Sequence, residues 1–449
     1  MGILSLPHTP FTGAGIRPSK TSFNLESSRK GRAVCVGKTN DYDVVIVGAG
    51  IIGLSIARQI LLLSDLSVAV VDRAVPCSGA TGAGQGYIWA VHKSPETPIW
   101  NLAMRSRRLW EDFAAGVDDQ GFDPLQELGW KKTGSLLVGR TSNESDMLKR
   151  RVKQLREAGL IAEFLDGRQL NEAEPELAVW EEGGAAFLPD DYQIDAQSTV
   201  SFILNTNRVY ASKGRYSEFF HNPVTGLIRS QMSGEIEAVV TDMTTLHVKK
   251  AVVLATGCWS GSLMKDLGDS DFCLDFPVKP RKGHLLVMEN LWNLNLRHGL
   301  MEAGYINHEH VANADDRKTE QMLSISMTAT VDASGNVLLG SSRQFAGFST
   351  EPEGSIIKYI WRHAKEFFPK LKKHSLDHPF EGRKVRVGLR PYMPGGKPVI
   401  GPLPSFSNVF IAAGHEGEGL SLALGTAEMM ADMVLEKPTI VDRAPFSYM

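Results

Sequence analysis

The residues Gly48-Ala49-Gly50-Ile51-Ile52-Gly53 read G-x-G-x-x-G directly after the β-branched run DVVIVG at 43–48. Glycines at this spacing permit a tight turn, close approach of backbone to a pyrophosphate, and close helix–strand packing. A pyrophosphate placed there meets unpaired N–H groups and the positive end of a helix dipole. Asp72 ends a second buried-type run, 66–72, nineteen residues after Gly53. A carboxylate at that point accepts hydrogen bonds from ribose hydroxyls, and Arg73 beside it joins the nucleotide set. A glycine-rich structural turn with a solvated aspartate would carry the same letters. The two flanking strands and the acid favour dinucleotide binding.

Three further segments point to a flavin rather than a nicotinamide. The segment SGATGAGQG, 78–86, is small and hydroxyl-rich and follows Asp72 closely. It can thread beside a flavin dinucleotide, offering backbone N–H groups of Gly84, Gln85 and Gly86 and the hydroxyls of Ser78 or Thr81; its bland reading is a flexible loop. VVLATGCWS, 252–260, runs as a strand into Ala255-Thr256-Gly257, a turn suited to closing over the pyrophosphate side. Near the end, Gly414, His415, Gly417, Glu418, Gly419 and Leu420 lead into an apolar helix. The positive end of that helix, pointed at the flavin C2 carbonyl and N1, would stabilise an anionic reduced flavin. His415 and Glu418 either touch the ring or simply cap and line the turn.

These segments need elements to hold them. The order strand (43–48), glycine turn, helix (52–63), strand (66–72) is a βαβ unit with parallel strands. Helices are expected over 100–113, 147–158 and 419–435, and strands over 134–140, 251–255, 278–288, 321–327, 336–340 and 409–412. The expected fold is α/β, a Rossmann-type FAD-binding domain with an inserted antiparallel β-sheet (α+β) substrate domain. The discontinuous FAD-binding domain takes 41–130, 190–270 and 380–440; the substrate domain takes 131–189 and 271–379.

Composition agrees with an ordinary globular chain, 43% hydrophobic and 22% charged over 449 residues, enough for two or three cored domains. Extended disorder and a disulfide scaffold are excluded. Residues 1–40 carry six basic groups (Arg17, Lys20, Arg29, Lys30, Arg32, Lys38) against Glu26 alone, whereas the whole chain is −3. The body is therefore mildly acidic, which argues against nucleic acid as a partner. The leader is Ser/Thr-rich, acid-poor and lacks a continuous apolar core. That is the composition of a transit peptide, plastid first and mitochondrion second, with an addressless tail as the alternative. Cys35, Cys77, Cys258 and Cys273 have no metal-ligand spacing, and His308-Glu309-His310 lacks an identifiable third ligand, so no metal site is expected. The longest apolar run, 44–63, is broken by glycines, Ser55, Arg58 and Gln59, which excludes a membrane span.

Taken in order, VVIVGAGIIG with Asp72, SGATGAGQG, VVLATGCWS, PVKPRKGHLLVM and the run from Gly388 to Glu428 (GLRPYMPGGKPVIG through GHEGEGL to Glu428) resemble one family. It is the FAD-dependent family of D-amino-acid, glycine, sarcosine and opine oxidases, and the resemblance covers 41–437. It implies FAD at the junction of a Rossmann-type domain and a sheet domain. It places Arg390, of the L-R-P motif, where glycine oxidases bind the substrate carboxylate. A planar guanidinium in a dry pocket makes a bidentate clamp on such a group; a junction salt bridge is the alternative. Tyr305 resembles in position an active-site tyrosine of glycine oxidases, and Val224 the residue whose backbone meets the adenine. Tyr392 is a second candidate for the pocket wall, and Arg343 a weaker one.

The chain departs from the family in three places. Gly395-Gly396-Lys397 stands where many members carry Asp, the strand NVLLGSS has Leu338 and no lysine, and no cysteine follows Cys273. Covalent flavin attachment in that region is thereby excluded, and the electron acceptor stays open between dioxygen, a quinone and a protein. The resemblance implies oxidation of the C–N bond of a small amino acid or N-substituted amino acid by hydride transfer to flavin N5, with the imine then hydrolysed. The alternative is a catalytically silent, FAD-binding assembly or scaffold protein in an organelle.

Overall fold

The computed structural model describes residues 40–267, 276–289, 291, 294–306, 323–374, 376, 383–404 and 406–448. The leader, Cys35, Cys273 and His308-Glu309-His310 lie outside the described residues.

The first sheet is built on the strand Asn40–Val47, which runs parallel to Val68–Val71 on one side and to Thr245–Leu254 on the other. Tyr216–Phe219 extends it in parallel beyond Val68–Val71, and Val409–Ala413 pairs in parallel with the C-terminal half of Thr245–Leu254. The two strands Val224–Arg229 and Ile236–Thr241 add an antiparallel meander. Alternation of side chains sends Val44 and Ile46 into the core below the sheet and Val45 and Val47 into the core above it. A strand buried on both faces reads as a continuous apolar run, and each fully buried Val or Ile stabilises by roughly 1.5–3 kcal/mol. The helices Ile51–Leu63, Ile99–Asp119 and Gly419–Val434 cover one face. Gly419–Val434 is buried along its length after Gly419, and its buried Glu428 is matched by a two-point bridge from Arg105 at 2.7 and 2.6 Å.

The second sheet runs in the order Arg383–Tyr392, Lys279–Met288, Val337–Arg343, Ser324–Val331, Gly299–Glu302, Ser135–Gly139, Gly184–Leu188 and Glu163–Asp166. Its pairings are antiparallel save Gly299–Glu302 with Ser135–Gly139. The helix Gly354–Phe367 lays Ile356, Ile360, Trp361, Ala364 and Phe367 on it, the spacing of one helical face.

The fold is thus mixed α/β, a parallel nucleotide-type sheet joined to an antiparallel one. One strand differs from the sequence partition. Arg383–Tyr392, within the stretch 380–440 assigned to the nucleotide part, pairs residue for residue with Lys279–Met288 in the second sheet. Ladder pairing of both strands, and not proximity to the following nucleotide segment, decides its place. The strand expected over 321–327 is described as Ser324–Val331.

Asp191, fully buried, ties the parts together. Its carboxylate accepts from Ala90 N–H at 3.0 Å, Ser135 Oγ at 2.6 Å and Arg107 Nη1 at 3.2 Å. Removing one partner of a buried ionic network strands the others. Asp191→Ala is expected to cost about 3–5 kcal/mol in urea unfolding; a loss under about 1 kcal/mol would show that the network is not structural.

Candidate active site

One cavity of about 650 Å³ runs between the two sheets. At one end it is lined by Gly48, Gly50, Ile51, Ile52, Asp72, Arg73, Val224, Thr256 and Gly257, and at the other by Tyr87, Tyr305, Arg390, His415, Glu416 and Gly417.

The nucleotide end is made by backbone. Gly48 has φ +116°, and a Cβ there would lie 2.3 Å from the Ala255 carbonyl oxygen. Only glycine allows the first turn to seat against the turn after Thr245–Leu254. Gly53 does not line the cavity; a Cβ on it would lie 2.0 Å from the Gly48 carbonyl oxygen, so its role is helix–strand packing. The helix Ile51–Leu63 begins at Gly50 with no side-chain cap and no acid in its first turn. Thr81 Oγ1 accepts from Ile51 N–H at 3.2 Å. The Asp72 carboxylate accepts from Ala49 N–H at 2.7 Å and Ala74 N–H at 2.8 Å, so it holds the glycine turn in shape while lining the cavity. Arg73 stacks over Trp259 at 4.1 Å, and Trp259 stacks on Phe348. A glycine cradle, a helix start with no acid in its first turn, a carboxylate and a guanidinium in one elongated cavity fit a flavin dinucleotide.

Ser78, Thr81, Gly84 and Gln85 line the same cavity, as do His415, Gly417, Gly419 and Leu420. Besides Gly53, three expected cofactor residues stand elsewhere. Gly86 (φ +85°) meets the Ile194 carbonyl, 1.9 Å from where its Cβ would be, and Gly414 sits against Met393. Glu418 turns away into a buried contact with His92 Nε2, 2.8 Å, and with the Lys93 ammonium. Burial pushes the Glu418 carboxyl up, and Lys93 with His92 more than reverses this, leaving it well below the usual carboxylate range. A buried carboxylate takes a cation in preference to a neutral ring, which is why Glu418 faces Lys93.

At the far end Arg390 Nη1 donates to the Ser342 carbonyl at 3.0 Å. The guanidinium fits because residue 283 is glycine: a Cβ there would lie 2.1 Å from Arg390 Nη1. Tyr305 Oη lies 3.2 Å from Tyr87 Oη, and Arg343 stacks 3.8 Å over the Tyr305 ring. Burial, with Tyr305 and Glu418 nearby, keeps the Tyr87 phenol protonated well above its usual range. Tyr392 packs with Phe345 and Arg281 and does not line the cavity. Sequence reading singled out neither Tyr87, His92, Lys93, Arg281 nor Glu416. Tyr87 left a signal, an aromatic directly after the flavin-type segment, and Arg281 and Glu416 stand inside the motifs PVKPRKGHLLVM and GHEGEGL without being marked out there.

The family model described as DAO, FAD dependent oxidoreductase, matches residues 43–433. The chain belongs to this family and is an FAD-dependent oxidoreductase. A glycine oxidase of Geobacillus kaustophilus is 28% identical over 422 residues, covering 91% of this chain and 97% of the relative. Its fold is shared with a crystal structure of glycine oxidase from that organism (TM-score 0.75, 24% identity, 91% and 99% covered). L-proline dehydrogenase from P. horikoshii has the same fold (TM-score 0.74, 18% identity, 91% and 97% covered). Among the described residues no cluster of His, Cys, Asp and Glu suits a metal ion, and no helix is long and apolar enough to cross a membrane.

Two outcomes are expected. Gly48→Ala forces the two turns apart, so the purified protein should carry little flavin absorbance; full occupancy would contradict the cradle. His415, buried with Nε2 3.0 Å from Thr426 Oγ1, has its pKa lowered by burial to about 3. The unfolded chain binds that proton near 6.5, so between those values the unfolded state is favoured as pH falls. His415→Gln should flatten the fall in stability between about pH 7 and about pH 5, by at most about 1.4 kcal/mol per pH unit. An unchanged slope in urea titrations would refute it.

Proposed function

We propose that the protein oxidises the C–N bond of a small amino acid or N-substituted amino acid whose carboxylate is held by Arg390. The supporting observation is the guanidinium itself: it enters the cavity from the second sheet, anchored by a neutral carbonyl with its charge turned inward. The relatives named glycine oxidase supply the substrate class by analogy. A catalytically silent scaffold would have no use for such a clamp.

Bound in this cavity, FAD would supply the acceptor for the hydride of the substrate carbon, and the imine so formed would hydrolyse in water. The chain supplies binding and orientation. Arg390 fixes the carboxylate by charge-assisted N–H bonds, which sets the direction in which the α-carbon faces. The Tyr87 and Tyr305 hydroxyls stand at the same end and can bond the substrate amine or the carboxylate. A substrate amine bound neutral needs no strong base, in keeping with the protonated Tyr87 and the neutral His415. Dioxygen, a quinone or a protein would serve as the final electron acceptor. The leader supports delivery to a plastid, with the mitochondrion second; a reporter fused behind residues 1–40 that stays outside both organelles would refute this.

Arg390→Lys keeps the charge and loses the fork. It should lower kcat/KM for the preferred substrate about 100-fold with flavin content unchanged, and Gly283→Ala should act in the same direction by displacing the guanidinium. Turnover that survives Arg390→Lys would remove Arg390 from the site.

A further inference from the structure

We infer that Arg281 is a positioning residue that keeps the Arg390 clamp open by holding Glu416 away from it. The inference rests on reading Arg390 as the carboxylate clamp. Arg281 and Arg390 stand directly opposite each other in the antiparallel pairing of Lys279–Met288 with Arg383–Tyr392. Directly opposed residues share a face of the sheet, and like charges there destabilise one another unless an anion intervenes.

Glu416 is that anion. It lines the cavity together with Arg390, at the end where Gly417, Tyr87 and Tyr305 meet. Its backbone holds the left-handed φ of +46°, unusual for a non-glycine residue. Oε1 accepts from Arg281 Nη1 at 3.2 Å, and the other oxygen faces the Gly417 N–H. Arg390 meanwhile donates to the Ser342 carbonyl. The carboxylate is thus drawn to Arg281 in preference to the guanidinium of Arg390. The aromatic walls explain this preference: the Arg281 guanidinium is 5.2 Å from the Tyr392 ring and 5.8 Å from the Phe345 ring, and the two rings pack edge to face. Arg281 lies against both rings and meets Glu416 with its Nη1.

Remove Arg281, and among the described residues Arg390 and Arg343 are cations that still act on Glu416. A carboxylate tethered beside the clamp has a high effective concentration. It would take the place of the substrate carboxylate as an internal competitor. Arg281 therefore acts through Glu416, without touching substrate.

The test is calorimetric binding of methoxyacetate, which carries a carboxylate and no oxidisable amine, to the FAD-loaded protein and its variants. Arg281→Gln should weaken binding at least about tenfold. The double variant Arg281→Gln with Glu416→Gln should restore binding to within about threefold of the wild type, because the competitor is gone. Arg281→Lys, which keeps a cation for Glu416, should stay close to the wild type and serves if Arg281→Gln fails to fold. Loss in Arg281→Gln that the second substitution does not restore would overturn the inference, as would no loss at all or tenfold weaker binding in Arg281→Lys. The clamp reading fails separately if Arg390→Lys binds methoxyacetate as tightly as the wild type. With an oxidisable substrate, Arg281→Gln should raise KM far more than it lowers kcat, a split that general disorder of the site would not give.

Discussion

A cation held by a neutral carbonyl is the constraint around which the site is arranged. Arg390 sits on the outermost strand of the second sheet, and its fixed partner is the Ser342 main-chain oxygen on another strand of that sheet. Had a carboxylate held it, the charge would be spent within the protein. The missing side chain at position 283 leaves the guanidinium its volume, and the opposed Arg281 draws off Glu416. Each feature is small on its own, and together they come from three strands of the second sheet and the turn that carries Glu416. The strand register of Lys279–Met288 against Arg383–Tyr392 is what makes them coincide.

At the other end the problem is reversed, since an anion must be received by groups that carry no charge. Backbone N–H groups do this only if two turns approach closely, which Gly48 allows against Ala255. Asp72 braces the first turn through Ala49 N–H, and Thr81 Oγ1 sits over the start of the helix Ile51–Leu63. The negative Asp72 and the positive Arg73 also line this end, so beside the neutral N–H groups it offers an acceptor for hydroxyls and a cation. The two ends are chemically unlike, and an elongated cavity joins them. That asymmetry suits a cofactor whose nucleotide portion only binds and whose ring system reacts.

Much of this could be read from the sequence because it rests on local periodicity. The run 44–47 is apolar throughout because both faces are covered, and the glycine spacing at 48–53 follows from backbone sterics within one turn. The helix 419–435 is apolar apart from Glu428, Asp432 and a few small polar residues because helices and a sheet surround it. Glu418 could not be read: its partners His92 and Lys93 lie more than 320 residues away, and nothing local distinguishes a carboxylate facing a ring from one facing a buried ammonium. Gly86 and Gly414 were legible as glycines but not in role, since the Ile194 carbonyl and the Met393 side chain that require them come from remote segments. Arg281 was visible inside a motif, yet its opposition to Arg390 is a matter of strand register, which a one-residue slip would abolish. The strand Arg383–Tyr392 was assigned by its neighbours in sequence and belongs, by its hydrogen bonds, to the other sheet.

The most direct measurement is an anaerobic titration of the flavin-loaded protein with matched pairs of compounds: amino acids and N-substituted amino acids against the same amines without a carboxylate, and against the corresponding 2-hydroxy acids. Bleaching of the oxidised flavin by a carboxylate-bearing amine, and by neither of its partners, is the result the account predicts. Bleaching by a hydroxy acid or by the bare amine, or a flavin that no member of the set reduces, would contradict it.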